Sequence, residues 1–363
     1  MKISYLQLNN FRNIERIEIK PQKGLNIFLG NNAQGKTNLL EALFFLATAS
    51  SFRTGDDKNL IKYDSPGFNL KTSYACQERV FNGNISYDKK KGKVLQLNSK
   101  KTGPNNPDRL RVVLFTPDDL FLVKGSPVKR RNFLDFVLKQ ISSEYINTFI
   151  NYTNILKKRN LLLKKEQSNS RSFEVVNEVF IDSAVRVILS RLNYINALDE
   201  TARDIYKQIN NTESSLKIRY ALSFPLESGK INLDTLRDAF ERELYKYRNT
   251  EIVRKSTLMG PHLDDLHLYQ DEKIARLFAS QGQQRNIAVC LKLAELETFN
   301  KIKGYSPVLL LDEVLAELDQ ERKQMLVEYL TAGSFQSFLT SVNLDNINYS
   351  STSIFRIQNG FLI

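Results

Sequence analysis

Cysteine is scarce: Cys76 and Cys290 are the only two in 363 residues. Two thiols cannot build a disulfide framework, and neither sits in a CxxC or Cys/His metal spacing. A reduced, cytoplasmic setting is expected. Long apolar runs are also missing. A bilayer span needs roughly 20 consecutive apolar residues, and the longest run, Leu39 to Ala49, is interrupted by Glu41. No membrane partner is expected. The opening residues alternate apolar and polar, which reads as a strand and not as the unbroken apolar core of a signal peptide. There is no internal repeat and no base-reading motif such as a helix-turn-helix or zinc finger. The two histidines, His262 and His267, lie beside Asp264 and Asp265. Their spacing fits no common metal-ligand pattern, and packing of a loop is the expected role.

Positive charge is abundant. Lys and Arg number 52 against 40 Asp and Glu, a formal net charge of +12. Such an excess suits a polyanionic partner, because Lys and Arg release counterions from a phosphate backbone. Charge alone leaves a basic surface that binds nothing equally open. The candidate clusters are Lys89, Lys90 and Lys91 on a hairpin tip; Lys129, Arg130 and Arg131; and Lys157, Lys158 and Arg159. Any nucleic-acid contact from them would be to phosphates and independent of base sequence. For each cluster a solvated face is the competing reading.

The chain changes character along its length. Ile3 to Leu8, Ile17 to Ile19, Gly24 to Leu29 and Arg111 to Phe115 read as strands, and Asn38 to Ala49 as a helix. From about Ser126 to Arg248 apolar residues fall at helical spacing, most clearly over Ile181 to Ile195, with a strand-like patch near Leu216 to Phe224. Gln284 to Phe299 and Glu321 to Leu330 read as helices. Val308 to Leu311 and Ser337 to Thr340 read as buried strands, and Ile354 to Ile363 as a terminal hairpin. The expected fold is α/β, with a discontinuous core over 1–115 and 256–363 and a mostly helical insertion over 116–255.

Two motifs carry chemistry. Gly30-Asn31-Asn32-Ala33-Gln34-Gly35-Lys36-Thr37 matches GxxxxGK[ST] between an expected strand and an expected helix, the context of a P-loop. Its glycines let backbone N–H groups face phosphate oxygens, and the helix N-terminus adds its dipole. Lys36 would neutralise the β- and γ-phosphates, and Thr37 would ligate Mg²⁺. The second motif is Val308 to Leu311 followed by Asp312-Glu313, a buried strand ending in two carboxylates. Ligands collect at that edge of α/β sheets. Asp312 would join the Mg²⁺ shell and Glu313 would orient or deprotonate the attacking water. ATP and Mg²⁺ are therefore the expected cofactors.

Ser280-Gln281-Gly282-Gln283-Gln284 precedes the helix that leads to this strand. Alone it is a helix start. In this position it is similar to the signature segment of ABC ATPases, which closes on the γ-phosphate of the opposite subunit. Ala316-Glu317-Leu318-Asp319 is similar to the D-loop of that class, with Glu317 and Asp319 at the dimer interface. The fold expected is thus an ABC-type ATPase core with mixed sheets and flanking helices.

More of the chain resembles the RecF family, bacterial recombination mediators related to SMC-type repair ATPases. The supporting blocks are Leu6 to Asn13, the P-loop with Asn38 after it, Thr116 to Leu120, Lys124 to Pro127, Arg130 to Asp135, Lys158 to Lys164, Gly260-Pro261-His262, Asp264-Asp265 and Ser280 to Arg285. The resemblance implies slow ATP hydrolysis, dimerisation on ATP and clamping of duplex DNA near single-strand gaps. It also implies work with RecR and RecO to load RecA. Arg12 and Asn13 match the element that reaches the nucleotide in related ATPases; without that analogy Arg12 is a charged residue at a strand end. The alternative is an ABC-like ATPase of another DNA-processing or nuclease-partnered system. Three departures stand out. Leu263 replaces an Arg of the family's GPHRDD block. No Q-loop glutamine lies between Arg111 and Asp119. Ser341-Val342-Asn343 holds no histidine after its strand.

Overall fold

The computed structural model describes residues 1–210, 214–227, 229–344 and 352–363. The chain divides into two compact units, one built from Met1–Leu120 and Gln281–Ile363, the other from most of 121–280.

The first unit opens with strands β1 (Lys2–Phe11), β2 (Ile14–Ile19) and β3 (Leu25–Leu29), then helix α1 (Lys36–Thr48). Strands β4 (Gly67–Cys76), β5 (Arg79–Asp88), β6 (Gly92–Leu97), β7 (Lys100–Lys101) and β8 (Val112–Phe115) follow. An antiparallel sheet runs in the order β2-β1-β4-β5-β6-β7. Its residues alternate, as one buried face requires: Leu6 and Leu8 are buried on β1 while Tyr5 and Gln7 are half-buried on the other face. Helix α1 is apolar almost all round, which marks a helix enclosed on every side. It packs on both sheets of this unit, touching β1, β4 and β5 as well as β8, β12 and β13, defined below. Phe45 of α1 meets Phe68 edge-on at 5.6 Å, and Phe68 meets Phe11 at 5.3 Å.

The second unit holds α2 (Phe121–Lys124), α3 (Pro127–Ile141), α4 (Ser143–Lys164), α5 (Arg171–Asn210), β9 (Leu216–Ala221), α6 (Leu233–Arg254), β10 (Asp265–Gln270), β11 (Lys273–Ile274) and α7 (Ala275–Phe278). Helix α5 is 40 residues long, far beyond the Ile181 to Ile195 stretch where the period is clearest. Strands β10 and β11, which a division at 256 assigns to the core, join β9 in a separate sheet of order β11-β10-β9, with Leu266 opposite Tyr220 and Leu268 opposite Ile218. The compact units therefore divide at Leu120 and Gln281 and not at 115 and 256.

The chain returns to the first unit with α8 (Gln281–Lys303), β12 (Val308–Leu311), α9 (Gln320–Ala332), β13 (Ser337–Ser341), β14 (Ser353–Gln358) and β15 (Phe361–Leu362). The second six-stranded sheet has the order β15-β14-β3-β13-β12-β8, parallel from β14 to β8. Its centre is covered on both faces, so Val308–Leu311 is a continuous apolar run with all four residues buried. Each such side chain contributes about 1.5–3 kcal/mol. The carboxyl ends of β3, β13, β12 and β8 lie side by side, and the segments leaving them form the candidate site.

Candidate nucleotide site

The P-loop leaves β3 and enters α1 at Gly35, whose φ of 113° is open to glycine but strained for other residues. A Cβ there would also stand 2.9 Å from Asn13 Oδ1. The loop is gripped from two directions. Asn13 Nδ2 donates to the Gln34 carbonyl at 3.3 Å, and Asn13 Oδ1 accepts from Asn38 Nδ2 at 2.8 Å. After β14, the backbone N–H of Asn359 donates to Gln34 Oε1 at 2.6 Å and that of Gly360 to the Gln34 carbonyl at 3.0 Å. The terminal hairpin thus braces the P-loop, a role its sequence did not announce.

Lys36 is buried, and its ammonium donates to the carbonyls of Gly30 at 2.7 Å and Asn31 at 3.0 Å. Its Nζ lies 3.8 Å from Glu313. Burial lowers the Lys36 pKa, and the Glu313 and Asp312 carboxylates oppose that shift. Thr37 Oγ1 donates to Asp312 Oδ1 at 2.9 Å, joining the start of α1 to the end of β12. Burial raises the Asp312 pKa, while hydrogen bonds from Thr340 and Thr37 hold it down. Glu313 adopts φ 53°, a left-handed conformation uncommon outside glycine. Its side chain is 41% exposed. Lys36, Thr37, Asp312 and Glu313, predicted from two motifs far apart in sequence, are therefore neighbours.

Residues that sequence reasoning missed complete the surroundings of the site. Thr340 is the next-to-last residue of β13; its hydroxyl donates to Asp312 Oδ1 at 2.9 Å and accepts the Glu313 backbone N–H at 2.8 Å. Glu41, noted in the sequence only for breaking an apolar run, is 0% exposed on α1. It accepts from Arg12 Nε at 2.9 Å and from the terminal Arg12 nitrogen at 2.7 Å, with Ser51 at 2.5 Å and Arg53 at 3.3 Å. Arg53 also donates to Asn38 Oδ1 at 2.8 Å. Arg12 thus reaches the flank of the P-loop helix through a carboxylate. The available signal was a lone acid at a core position of an apolar helix, which demands a cationic partner.

Ser280, Gln281, Gly282 and Gln283 are exposed and Gln284 is half-buried, at the start of α8. Arg285 pairs with Glu317 at 3.0 Å, tying α8 to the expected D-loop. Asp319 Oδ1 caps α9 by accepting the Arg322 N–H at 3.0 Å. Among the described residues no group of His, Cys, Asp and Glu could hold a metal as a cluster. Thr37 and Asp312 instead offer a hydroxyl and a carboxylate, the hard oxygen donors that suit Mg²⁺ beside substrate phosphates.

The basic clusters divide on burial. Lys89, Lys90, Lys91, Lys129, Lys157 and Lys158 are exposed. Arg130 and Arg159 are corrections to the expected DNA contacts. Arg130 is 3% exposed and donates to both oxygens of Asp265 at 2.7 and 2.8 Å. Arg159 is 2% exposed and donates to Glu251 at 2.6 Å, Thr257 at 2.7 Å and Asn177 at 2.9 Å. Both guanidiniums are consumed inside the second unit. Arg131 is half-buried and donates to the Asp264 carbonyl at 2.8 Å.

The family described as AAA ATPase domain matches residues 1–333. An SMC head bound to the C-terminal winged-helix domain of ScpA superposes with a TM-score of 0.58 at 16% identity, covering 100% of this chain and 96% of that one, a likeness of fold. Fold and motifs together define a P-loop ATPase of the ABC type, with an SMC-like core. The relatives are more particular. The DNA replication and repair protein RecF of a Bacillus cereus strain is 38% identical over 358 residues, 97% of this chain and 94% of that protein. RecF of Bacillus thuringiensis (strain Al Hakam) matches to the same extent. The structure of the recombination mediator protein RecF with ATP superposes with a TM-score of 0.88 at 29% identity, covering 100% of this chain and 97% of that one. The chain belongs to the RecF family of DNA replication and repair proteins.

Proposed function

We propose that this chain binds and slowly hydrolyses ATP, and that ATP joins two copies into a clamp on duplex DNA near single-strand gaps. The observation that carries the reading is the junction of the two motifs: Thr37 2.9 Å from Asp312, and Lys36 3.8 Å from Glu313.

The backbone N–H groups of Gly30 to Thr37 and the Lys36 ammonium hold the β- and γ-phosphates. Thr37 and Asp312 hold Mg²⁺, which supplies positive charge against the phosphates. Glu313 orients the attacking water or accepts its proton. Thr340 holds the backbone on which both carboxylates sit. Arg12, Asn13 and Asn38 flank the P-loop and steady its approach to the nucleotide. Ser280 to Gln284 close the site of the opposite copy, with Glu317 and Asp319 at the junction. Hydrolysis then releases the dimer and the DNA.

The exposed lysines at 89–91, 129, 157 and 158 supply phosphate contacts that do not depend on base sequence. RecR, with RecO and RecA further along the pathway, are the protein partners that the family membership suggests. Phosphate release tests the enzymatic core. Wild type should release phosphate slowly from ATP–Mg²⁺, and both Lys36→Arg and Glu313→Gln should abolish it. Undiminished release by either variant would overturn the site.

A further inference from the structure

We infer that Lys323 is a second cation of the nucleotide site, one that reads the terminal phosphate and so separates triphosphate from diphosphate. The inference rests on the ATP site proposed above and extends it to a residue outside every motif.

Lys323 lies near the start of α9. It shares a helix face with Leu326, Val327 and Leu330, the three buried residues of that helix. Lys323 itself is half-buried. No carboxylate of the described residues forms an ion pair with it. Where the stripe runs off the core, Lys323 lines a cavity of about 160 Å³ together with Asn32 of the P-loop, the catalytic candidate Glu313, Thr340 and Asn343. One wall is therefore P-loop, another the carboxylate end of β12, and Lys323 contributes to a third.

Lys36 meets the β- and γ-phosphates from the P-loop side; its ammonium bonds the carbonyls of Gly30 and Asn31 and lies 3.8 Å from Glu313. A diphosphate held by the P-loop ends at its β-phosphate. A third phosphoryl extends toward Glu313, the residue placed to act on it, and so into the cavity that Lys323 lines. A third phosphoryl there meets two cations, Lys36 and Lys323, whose charge offsets its repulsion from Glu313. Lys323 thus favours the triphosphate over the diphosphate without contacting the base or ribose.

The test is equilibrium titration of fluorescent ADP and of a non-hydrolysable fluorescent ATP analogue with Mg²⁺. Wild type, Lys323→Met, Lys323→Arg and Lys36→Met are compared, each in a Ser280→Arg background so that pairing of two copies does not enter the reading. Lys323→Met should weaken the triphosphate on the order of tenfold and leave ADP affinity within about twofold. Lys323→Arg should restore the preference. ADP affinity is the internal measure of a folded site. An unchanged ratio of triphosphate to diphosphate affinity in Lys323→Met, while Lys36→Met loses both nucleotides, overturns the inference and leaves the ATP site standing. Nucleotide binding by Lys36→Met equal to wild type overturns the ATP site itself, and the inference with it.

Discussion

The hydroxyl of Thr340 donates to Asp312 Oδ1 at 2.9 Å, from the end of one parallel strand to the end of its neighbour. The Thr340 hydroxyl oxygen in turn accepts the Glu313 backbone N–H at 2.8 Å. One hydroxyl therefore sets the carboxylate expected to hold Mg²⁺ and the backbone of the residue expected to act on water.

Thr340→Val keeps the shape and removes both hydrogen bonds. Groups that orient metal-binding carboxylates typically matter by about 10–100-fold. We expect the variant to lose kcat on that scale, with the larger defect at low Mg²⁺, while the affinity for ADP without metal stays near wild type. Steady-state phosphate release across a Mg²⁺ series reads this directly. An unaltered kcat at every Mg²⁺ concentration would remove Thr340 from the site.

Arg159 and its neighbours Lys157 and Lys158 should separate. Removing one partner of a buried ion pair leaves an uncompensated charge and costs about 3–5 kcal/mol. Arg159→Met strands Glu251, so urea unfolding should show a loss of that size. The exposed pair Lys157→Glu with Lys158→Glu should alter stability by no more than about 0.5 kcal/mol. It should weaken duplex DNA binding and flatten its dependence on salt. A stability loss in the lysine variant as large as that of Arg159→Met would contradict the division.

His262 gives a pH dependence. Its Nδ1 lies 2.6 Å from the Tyr152 hydroxyl. Burial lowers its pKa from 6.5 to about 4, with Arg131, Arg159 and Arg191 adding to the shift and a bond with Thr257 opposing it. Below pH 6.5 the unfolded chain takes up this proton before the folded one does. Stability from this group is therefore whole above about pH 6.5 and is lost as pH falls toward 4, by at most about 3 kcal/mol. Urea midpoints of wild type and His262→Gln should converge as pH falls from 7.5 to 4.5. Parallel curves would show that His262 does not titrate in this window.

The P-loop and the Asp312-Glu313 strand were legible because each is a contiguous run whose geometry is local: a glycine-bearing turn before a helix, and an apolar strand ending in acids. Thr340 was not, since its function comes from parallel pairing that places Leu311 beside Leu339. Glu41 looked like an interruption of an apolar helix, and only the fold brings Arg12 to it. Arg130 and Arg159 looked like parts of basic clusters. Their partners lie 135 and 92 residues away in sequence, Asp265 and Glu251, and no local pattern reports such a distance. Strands β10 and β11 carry strand composition but give no sign of which sheet they join. The Gly260-Pro261-His262 block, met first as a mark of resemblance, turns out to serve packing: the Pro261 carbonyl accepts from Arg191 at 2.6 Å, and Arg191 also binds Asp135 at 2.7 Å.

The central claim is that nucleotide controls pairing of two copies and their hold on DNA. Sedimentation of wild type, Lys36→Met and Glu313→Gln, without nucleotide, with ATP–Mg²⁺, and with ATP–Mg²⁺ plus a gapped duplex, tests it most directly. The account predicts dimers on DNA for wild type with ATP, longer-lived dimers for Glu313→Gln, and monomers for Lys36→Met in every condition. Monomers throughout, with DNA bound equally well whether or not ATP is present, would contradict it.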